Sequence, residues 1–288
     1  MKELVVISGK GGTGKTSLMG AFAYLVENKI LCDADVDAAD LHLLMNPEVR
    51  KRYDFQSGNT AVIDPGRCTE CGVCIDLCRW KAIGNDFKVK PIECEGCGVC
   101  VYFCPEKAID FPENTCGEWY ISDTRFGPMV HARLGIAEEN SGKLVTLVRQ
   151  EARKLGEEKN LKLILSDGPP GVGCPVIASI GGTTAALIVT EPTVAGKHDM
   201  QRVAQLAAHF KVPAMICVNK FDLNLELTQN IENFARENEL SCLGRIPFDP
   251  IFTWAMVQGQ TVFEYNTGSK AGQAIKQIWH ILADKMKL

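Results

Sequence analysis

Residues 3–17, ELVVISGKGGTGKTS, constrain the fold more than any other stretch: an apolar, β-rich run feeds a glycine loop, and the helix-like TSLMGAFAYLVEN follows at once. The loop satisfies G-x-x-x-x-G-K-[ST] through Gly9, Gly14, Lys15 and Thr16. Between a strand and a helix, such a loop turns backbone N–H groups and the positive end of the helix dipole toward a phosphate. Gly9, Gly11, Gly12, Thr13, Gly14, Lys15, Thr16 and Ser17 are therefore expected to hold a nucleotide. Lys15 is expected on the β- and γ-phosphates and Thr16 on Mg²⁺. A second lysine, Lys10, sits inside the same loop, and one lysine suffices for the phosphates of one nucleotide.

Similar apolar runs recur at KILCDADV (29–36), LKLILSD (161–167), AALIVTEP (185–192), PAMICVNK (213–220) and SCLGRIP (241–247), with helical patterns between most of them. Buried strands alternating with helices predict an α/β fold, a mostly parallel P-loop sheet with helices on both faces. A chain of 288 residues, 46% of them hydrophobic, can fill that core. Its net charge of −4 gives no electrostatic reason to bind nucleic acid or an anionic membrane, and no apolar run is long enough to span one. The C-terminal AGQAIKQIWHILADKMKL carries an apolar stripe at 271, 274, 275, 278 and 282 that is expected to pack on the sheet. Met1 runs straight into the first strand with no room for a secretory leader, so thirteen cysteines are expected as reduced thiols in a cytoplasm.

The alternation breaks between about residues 62 and 112. There CTECGVCIDLCRWKAI, from Cys68, is repeated as CEGCGVCVYFCPEKAI from Cys94, an offset of 26 residues. The expected organisation is a discontinuous ATPase domain, 1–60 and 114–288, around an insert at 61–113. After the insert, GEWYISDTRFGPMVHARL alternates as a hairpin turning near Gly127-Pro128, and SGKLVTLVRQEARKL returns to helix. Each repeat has C-x2-C-x2-C-x3-C spacing, which resembles the ligand run of bacterial two-cluster ferredoxins, small α+β modules. That resemblance implies two [4Fe-4S] clusters with crossed ligands: Cys68, Cys71, Cys74 and Cys104 for one, Cys94, Cys97, Cys100 and Cys78 for the other. A pair of zinc sites is the competing reading of the same C-x2-C pairs. The second repeat ends Cys104-Pro105 in the ferredoxin manner and the first ends Cys78-Arg79, a departure that removes no ligand but gives no ground to expect equal potentials or exposure.

The loop variant KGGTGKT (10–16) resembles the deviant phosphate loop of the MinD/ParA family of P-loop ATPases, which includes the nitrogenase iron protein and the Mrp-type cluster carriers. The resemblance implies that Lys10 reaches across an ATP-bound dimer to the partner's phosphates. DADVDAADL (33–41) is similar to the family's first switch and implies that Asp35 positions the attacking water, with Asp33, Asp37 and Asp40 as alternatives. LILSDGPPG (163–171) is similar to the second switch, with Asp167 near Mg²⁺ and Gly168 placed to approach the γ-phosphate. VNKFD (218–222) and IPFD (246–249) also resemble segments of that group, which implies that Asn219 and the backbone near Pro247 face the base. N-K-x-D is also a guanine-recognition motif, so Asp222 keeps GTP open as an alternative to ATP. Likeness covers the whole chain and is greatest to the ferredoxin-bearing MinD-type ATPases, including those of the orange-protein complex.

Three functions follow. In the first, an ATP-dependent homodimer, or a heterodimer with a related subunit, gates electrons from two [4Fe-4S] clusters to a redox or metallocluster partner. In the second, the chain carries metal or iron-sulfur clusters. The third, a ParA-type positioning ATPase, leaves the cysteine repeat without a task. Cys174 in GCPVIASI reads as the opening of a helix just beyond the second switch and is a candidate thiol at a dimer interface.

Overall fold

A computed structural model of the chain describes residues 1–135 and 141–288. It contains two compact units: residues 1–53, 119–133 and 141–288 make the first, and 54–118 with the described residues at 134–135 make the second.

In chain order the first unit begins with β1 (Lys2–Ser8), α1 (Lys15–Leu25), β2 (Lys29–Asp33) and α2 (Leu41–Met45), and then enters β3 (Glu48–Asn59). The second unit contributes β4 (Val62–Ile63), α3 (Val73–Leu77), α4 (Val99–Phe103) and β5 (Ile109–Asp110). The chain returns through β6 (Glu113–Thr124), β7 (Gly127–Leu134) and α5 (Ser141–Glu158). It continues with β8 (Leu163–Pro170), α6 (Cys174–Ile180), β9 (Ala185–Thr190), α7 (Val194–His209) and β10 (Ala214–Asn219). α8 (Leu225–Glu237), β11 (Ser241–Ile246), α9 (Ile251–Val257), α10 (Val262–Tyr265) and α11 (Lys270–Met286) complete it.

The nine strands of the main sheet run in the order β11-β10-β9-β1-β8-β2-β7-β6-β3, and the pairs from β11 to β7 are parallel. The α/β fold with a mostly parallel sheet follows from the alternation in sequence. β1 shows why the strands read as unbroken apolar runs: Leu4 and Val6 enter the core on one face with Phe22, Met45 and Ile275, while Val5 and Ile7 enter the other with Met200, Val218 and Ile231. The C-terminal stripe packs as expected, with Ala271, Ile275, Ile278 and Leu282 buried in the first of these cores. No described helix is long and apolar enough to cross a membrane.

Two departures from the sequence reading have physical causes. The hairpin turns at Arg125-Phe126, and Gly127-Pro128 already begin β7. Thr124 sets the turn, its hydroxyl accepting from the Phe126 amide at 3.1 Å and donating to the Gly127 carbonyl at 2.8 Å. β3 was not anticipated. Its sequence, EVRKRYDFQSGN, is exposed over nearly all its length, so it lacks an apolar alternation, and its charges suit a strand at the sheet edge.

In the second unit β4 and β5 pair antiparallel, and an isolated bridge joins Ile83 to Val89. α3 and α4 occupy equivalent places in the two repeats, each preceded by a glycine in the left-handed region, Gly72 and Gly98. Ala61, Cys74, Ile83 and Ile109 form its small core.

Candidate functional site

The first unit carries a cleft of about 500 Å³ beyond the carboxyl end of β1, where neighbouring crossovers leave on opposite sides. Gly11, Gly12, Gly14, Lys15, Thr16 and Ser17 line it from the loop, Asp35 and Asp40 from the segment after β2, and Asn219 and Pro247 from the ends of β10 and β11. Gly14 is the N-cap of α1 at φ +91, and a Cβ there would lie 2.5 Å from Asn219 Nδ2. That close approach lets the Asn219 amide donate to the Thr13 carbonyl at 2.8 Å, locking the loop to the base-side strand.

Burial sets the electrostatics. Lys15, with 6% of its side chain exposed, places Nζ 3.9 Å from Asp35 Oδ2. Burial raises the Asp35 carboxyl to about 6, and the Lys15 ammonium restrains the rise. Asp167 is also raised by burial, against the pull of Lys15 and of the Thr16 hydroxyl that hydrogen-bonds to it. Asp33, between these carboxylates, is pushed well above the usual range by burial and by Asp167 and Asp35. Thr13 Oγ1, Asp33 Oδ2 and Asp167 Oδ1 are buried without a hydrogen-bond partner. Orphaned oxygens beside Thr16 and a buried lysine are what a Mg²⁺-nucleotide site requires.

Several anticipated residues stand elsewhere. Lys10 does not line the cleft; its ammonium is paired with Glu191, which also accepts from Lys220 Nζ at 3.2 Å. Lys220 in turn donates to the Gly12 carbonyl at 3.2 Å. Asp222 is outside the cleft, and its Oδ1 accepts from the Phe248 amide at 2.7 Å, fixing the segment that carries Pro247. A Cβ at Gly168 would lie 2.5 Å from Ile7 Cγ2, so packing against β1 requires glycine there. Asp37 does not line the cleft, whereas Asp40 does. The sequence reading missed Glu191 and the apolar wall of Leu43, Phe248, Phe252 and Met256. Glu191 lay unnoticed at the end of an apolar run, and short α2 and α9 give too few turns for a periodic signal.

In the second unit two small cavities are each lined by four cysteines. Cys68, Cys71, Cys74 and Cys104 line one; Cys78, Cys94, Cys97 and Cys100 line the other. Each set joins three cysteines of one repeat to the last cysteine of the other. The Ala82 amide donates to Cys78 Sγ and the Ala108 amide to Cys104 Sγ, both at 3.3 Å, so the two crossing thiols have matching surroundings. Cys174 is exposed at the first position of α6.

Comparison with known proteins agrees with the first unit's geometry. An uncharacterised protein of Methanocaldococcus jannaschii is 33% identical over 285 residues, 98% of this chain and 96% of its own. The cell division ATPase MinD of Pyrococcus furiosus has a similar fold, with a TM-score of 0.60 over 99% of both chains at 16% identity. So does the septum site-determining protein MinD of Pyrococcus horikoshii, solved with Mg-ADP, with a TM-score of 0.58 and 17% identity over 99% of this chain and 98% of that one. The family described as the CobQ/CobB/MinD/ParA nucleotide binding domain matches residues 4–262, and the chain belongs to it.

Proposed function

We propose that this chain is an ATP-hydrolysing iron-sulfur protein of the reducing cytoplasm, in which nucleotide-driven dimerisation gates electron transfer from two [4Fe-4S] clusters to a partner metalloprotein. The observation that carries the reading is the make-up of the two cysteine cavities, each with four thiols, three from one repeat and one from the other. That is the thiolate set a cubane takes in a two-cluster ferredoxin. A tetrahedral zinc site needs no third cysteine at this spacing, whereas both repeats carry one. The residues therefore fit clusters better than single ions. Bound clusters would supply one-electron storage.

Adenine is favoured over guanine because Asp222, the residue that would read a guanine, lies outside the cleft with one carboxylate oxygen engaged by Phe248. Lys15 and the loop amides hold the phosphates, Thr16 and Asp167 hold Mg²⁺, and Asp35, ionised and facing the cleft, accepts a hydrogen from the attacking water. Phosphates that draw Lys15 toward them release Asp35 from its 3.9 Å contact, which couples nucleotide binding to the first switch. Lys10, about a third exposed, is held by Glu191 in the single chain and reaches a second copy or a related subunit when that pairing opens.

The test is anaerobic loading followed by reduction with and without ATP. About eight irons per chain are expected, with a reduction potential that moves when ATP is added. Appearance of the cluster in an added apo-metalloprotein selects the carrier reading instead. A chain that binds ATP but retains no iron would overturn both and leave a positioning ATPase.

A further inference from the structure

The two cysteine cavities are built by a repeat, but their mouths differ. Residues after the crossing cysteine are Arg79-Trp80-Lys81 in the first repeat and Pro105-Glu106-Lys107 in the second. Trp80 lines the cavity of Cys78, Cys94, Cys97 and Cys100, and 51% of it is exposed to solvent. One indole thus spans the wall from the thiols to the surface. In the other cavity the equivalent place is taken by Glu106, beside Pro105.

Charge follows the same division. Arg79 stands over the indole, 6.0 Å from its centroid, and Lys81 is exposed on the other side in sequence. Elsewhere in this unit Arg67 pairs with Asp64 and Asp110, and Lys90 with Glu93. Among the described residues neither Arg79 nor Lys81 has an ion-pair partner. Glu95 is the acid in that cavity wall, and counted with Arg79 and Lys81 it leaves an excess of one positive charge. At the other mouth Glu106 and Lys107 cancel. An exposed tryptophan flanked by unpaired cations, on a chain of net charge −4, has the composition of an interface centre rather than of ordinary surface.

We infer that the face formed by Arg79, Trp80 and Lys81 docks an acidic one-electron carrier protein, and that electrons cross the surface at this cavity and not at the one beside Glu106. The inference rests on the proposal that both cavities hold clusters. The step is a bare electron transfer: a reduced carrier loses one electron, the centre held by Cys78, Cys94, Cys97 and Cys100 gains it, and no bond forms or breaks. Opposite charges on the two faces hasten encounter, and the indole brings the partner's centre close to the thiols.

Anaerobically loaded full-length protein, its iron counted first, is mixed in a stopped-flow instrument with an acidic flavodoxin reduced to its hydroquinone. Arg79→Glu combined with Lys81→Glu is expected to slow the second-order rate about tenfold or more at low ionic strength and to remove its salt dependence. Trp80→Ala is expected to weaken flavodoxin binding to the oxidised protein, measured by calorimetry, while iron content stays whole. Glu106→Gln and Lys107→Glu are expected to leave the rate within about twofold. A fully loaded charge-reversed variant that is reduced at the parental rate would overturn the inference, as would equal slowing by Lys107→Glu. Wild-type protein without iron would overturn the cluster proposal itself, a separate failure seen before any mixing.

Discussion

Glu191→Gln should tighten the ATP-dependent dimer. In the single chain Glu191 accepts from Lys10 and Lys220, with the lysine side chains 35% and 29% exposed and its own 13% exposed. Burial would raise the Glu191 carboxyl, but the two lysines bring it below the ordinary range, so it is ionised at neutral pH. Partly exposed pairs of this kind are worth about 0.5–1 kcal/mol each once solvent screening is allowed for. A Lys10 that crosses to a partner must first give up that pairing, and a symmetric dimer gives it up twice. Removing the charge therefore returns about 1–2 kcal/mol, or about five- to thirtyfold in the dimer dissociation constant; a heterodimer with one such lysine would gain only about two- to fivefold. Lys220 retains its bond to the Gly12 carbonyl, so the loop keeps its shape. Sedimentation velocity across a concentration series with a non-hydrolysable ATP analogue measures the shift, and Lys10→Ala, expected to stay monomeric, is the reference. An unchanged or weaker Glu191→Gln dimer, at unchanged nucleotide affinity, would refute the reasoning.

Lys15→Ala should abolish nucleotide binding, whereas Asp35→Asn should keep binding and lose hydrolysis; equal loss of binding in both would remove Asp35 from its role. Because Asp35 must be ionised to accept from water and titrates near 6, kcat/KM should be level above that pH and fall tenfold per unit below it, and an acid limb persisting in Asp35→Asn would assign it elsewhere. Cys78→Ala should halve the iron by emptying the cavity lined by Cys94, Cys97 and Cys100; spectra showing loss at Cys68, Cys71 and Cys74 instead would contradict the crossed arrangement. Burial, with some repulsion from His42, holds His131 near 4 where it shares a 2.9 Å hydrogen bond with Ser122. Between about pH 6.5 and 4 only the unfolded chain takes up that proton, so stability falls as pH falls through this window, and His131→Gln should remove about 3 kcal/mol of the drop. Parallel urea-denaturation profiles for the two proteins from pH 7 to 4 would exclude it.

Local grammar made the phosphate loop and the sheet legible. β1, β2, β8, β9 and β10 are almost wholly buried, so each is marked by a short apolar run, and Gly14 followed by Lys15 marks the place where one of them turns into a helix. The cysteine sets were legible for a different reason, since a repeated spacing places thiols independently of the surrounding fold. What escaped were relations between distant segments. Nothing near Glu191 announces that it holds Lys10, and Asp222 in an N-K-x-D run gives no sign that it will bond the Phe248 amide. Nothing near Gly168 announces that Ile7 of β1, from the far end of the chain, leaves no space for a Cβ there. β3 was hidden by being an edge, where charge replaces the apolar pattern.

The crossing of Cys78 and Cys104 has a consequence for how this module can change over generations. Neither half of the duplication closes its own cavity, because the fourth thiol of each always comes from the other. A chain with one repeat would need a second copy of itself to complete either cavity, so holding both in one chain makes that pairing internal and independent of concentration. The halves differ at their mouths, Trp80 against Glu106, and are alike in their last cysteines. Deleting either repeat leaves the other's cavity without its fourth thiol, so the two cannot be removed one at a time.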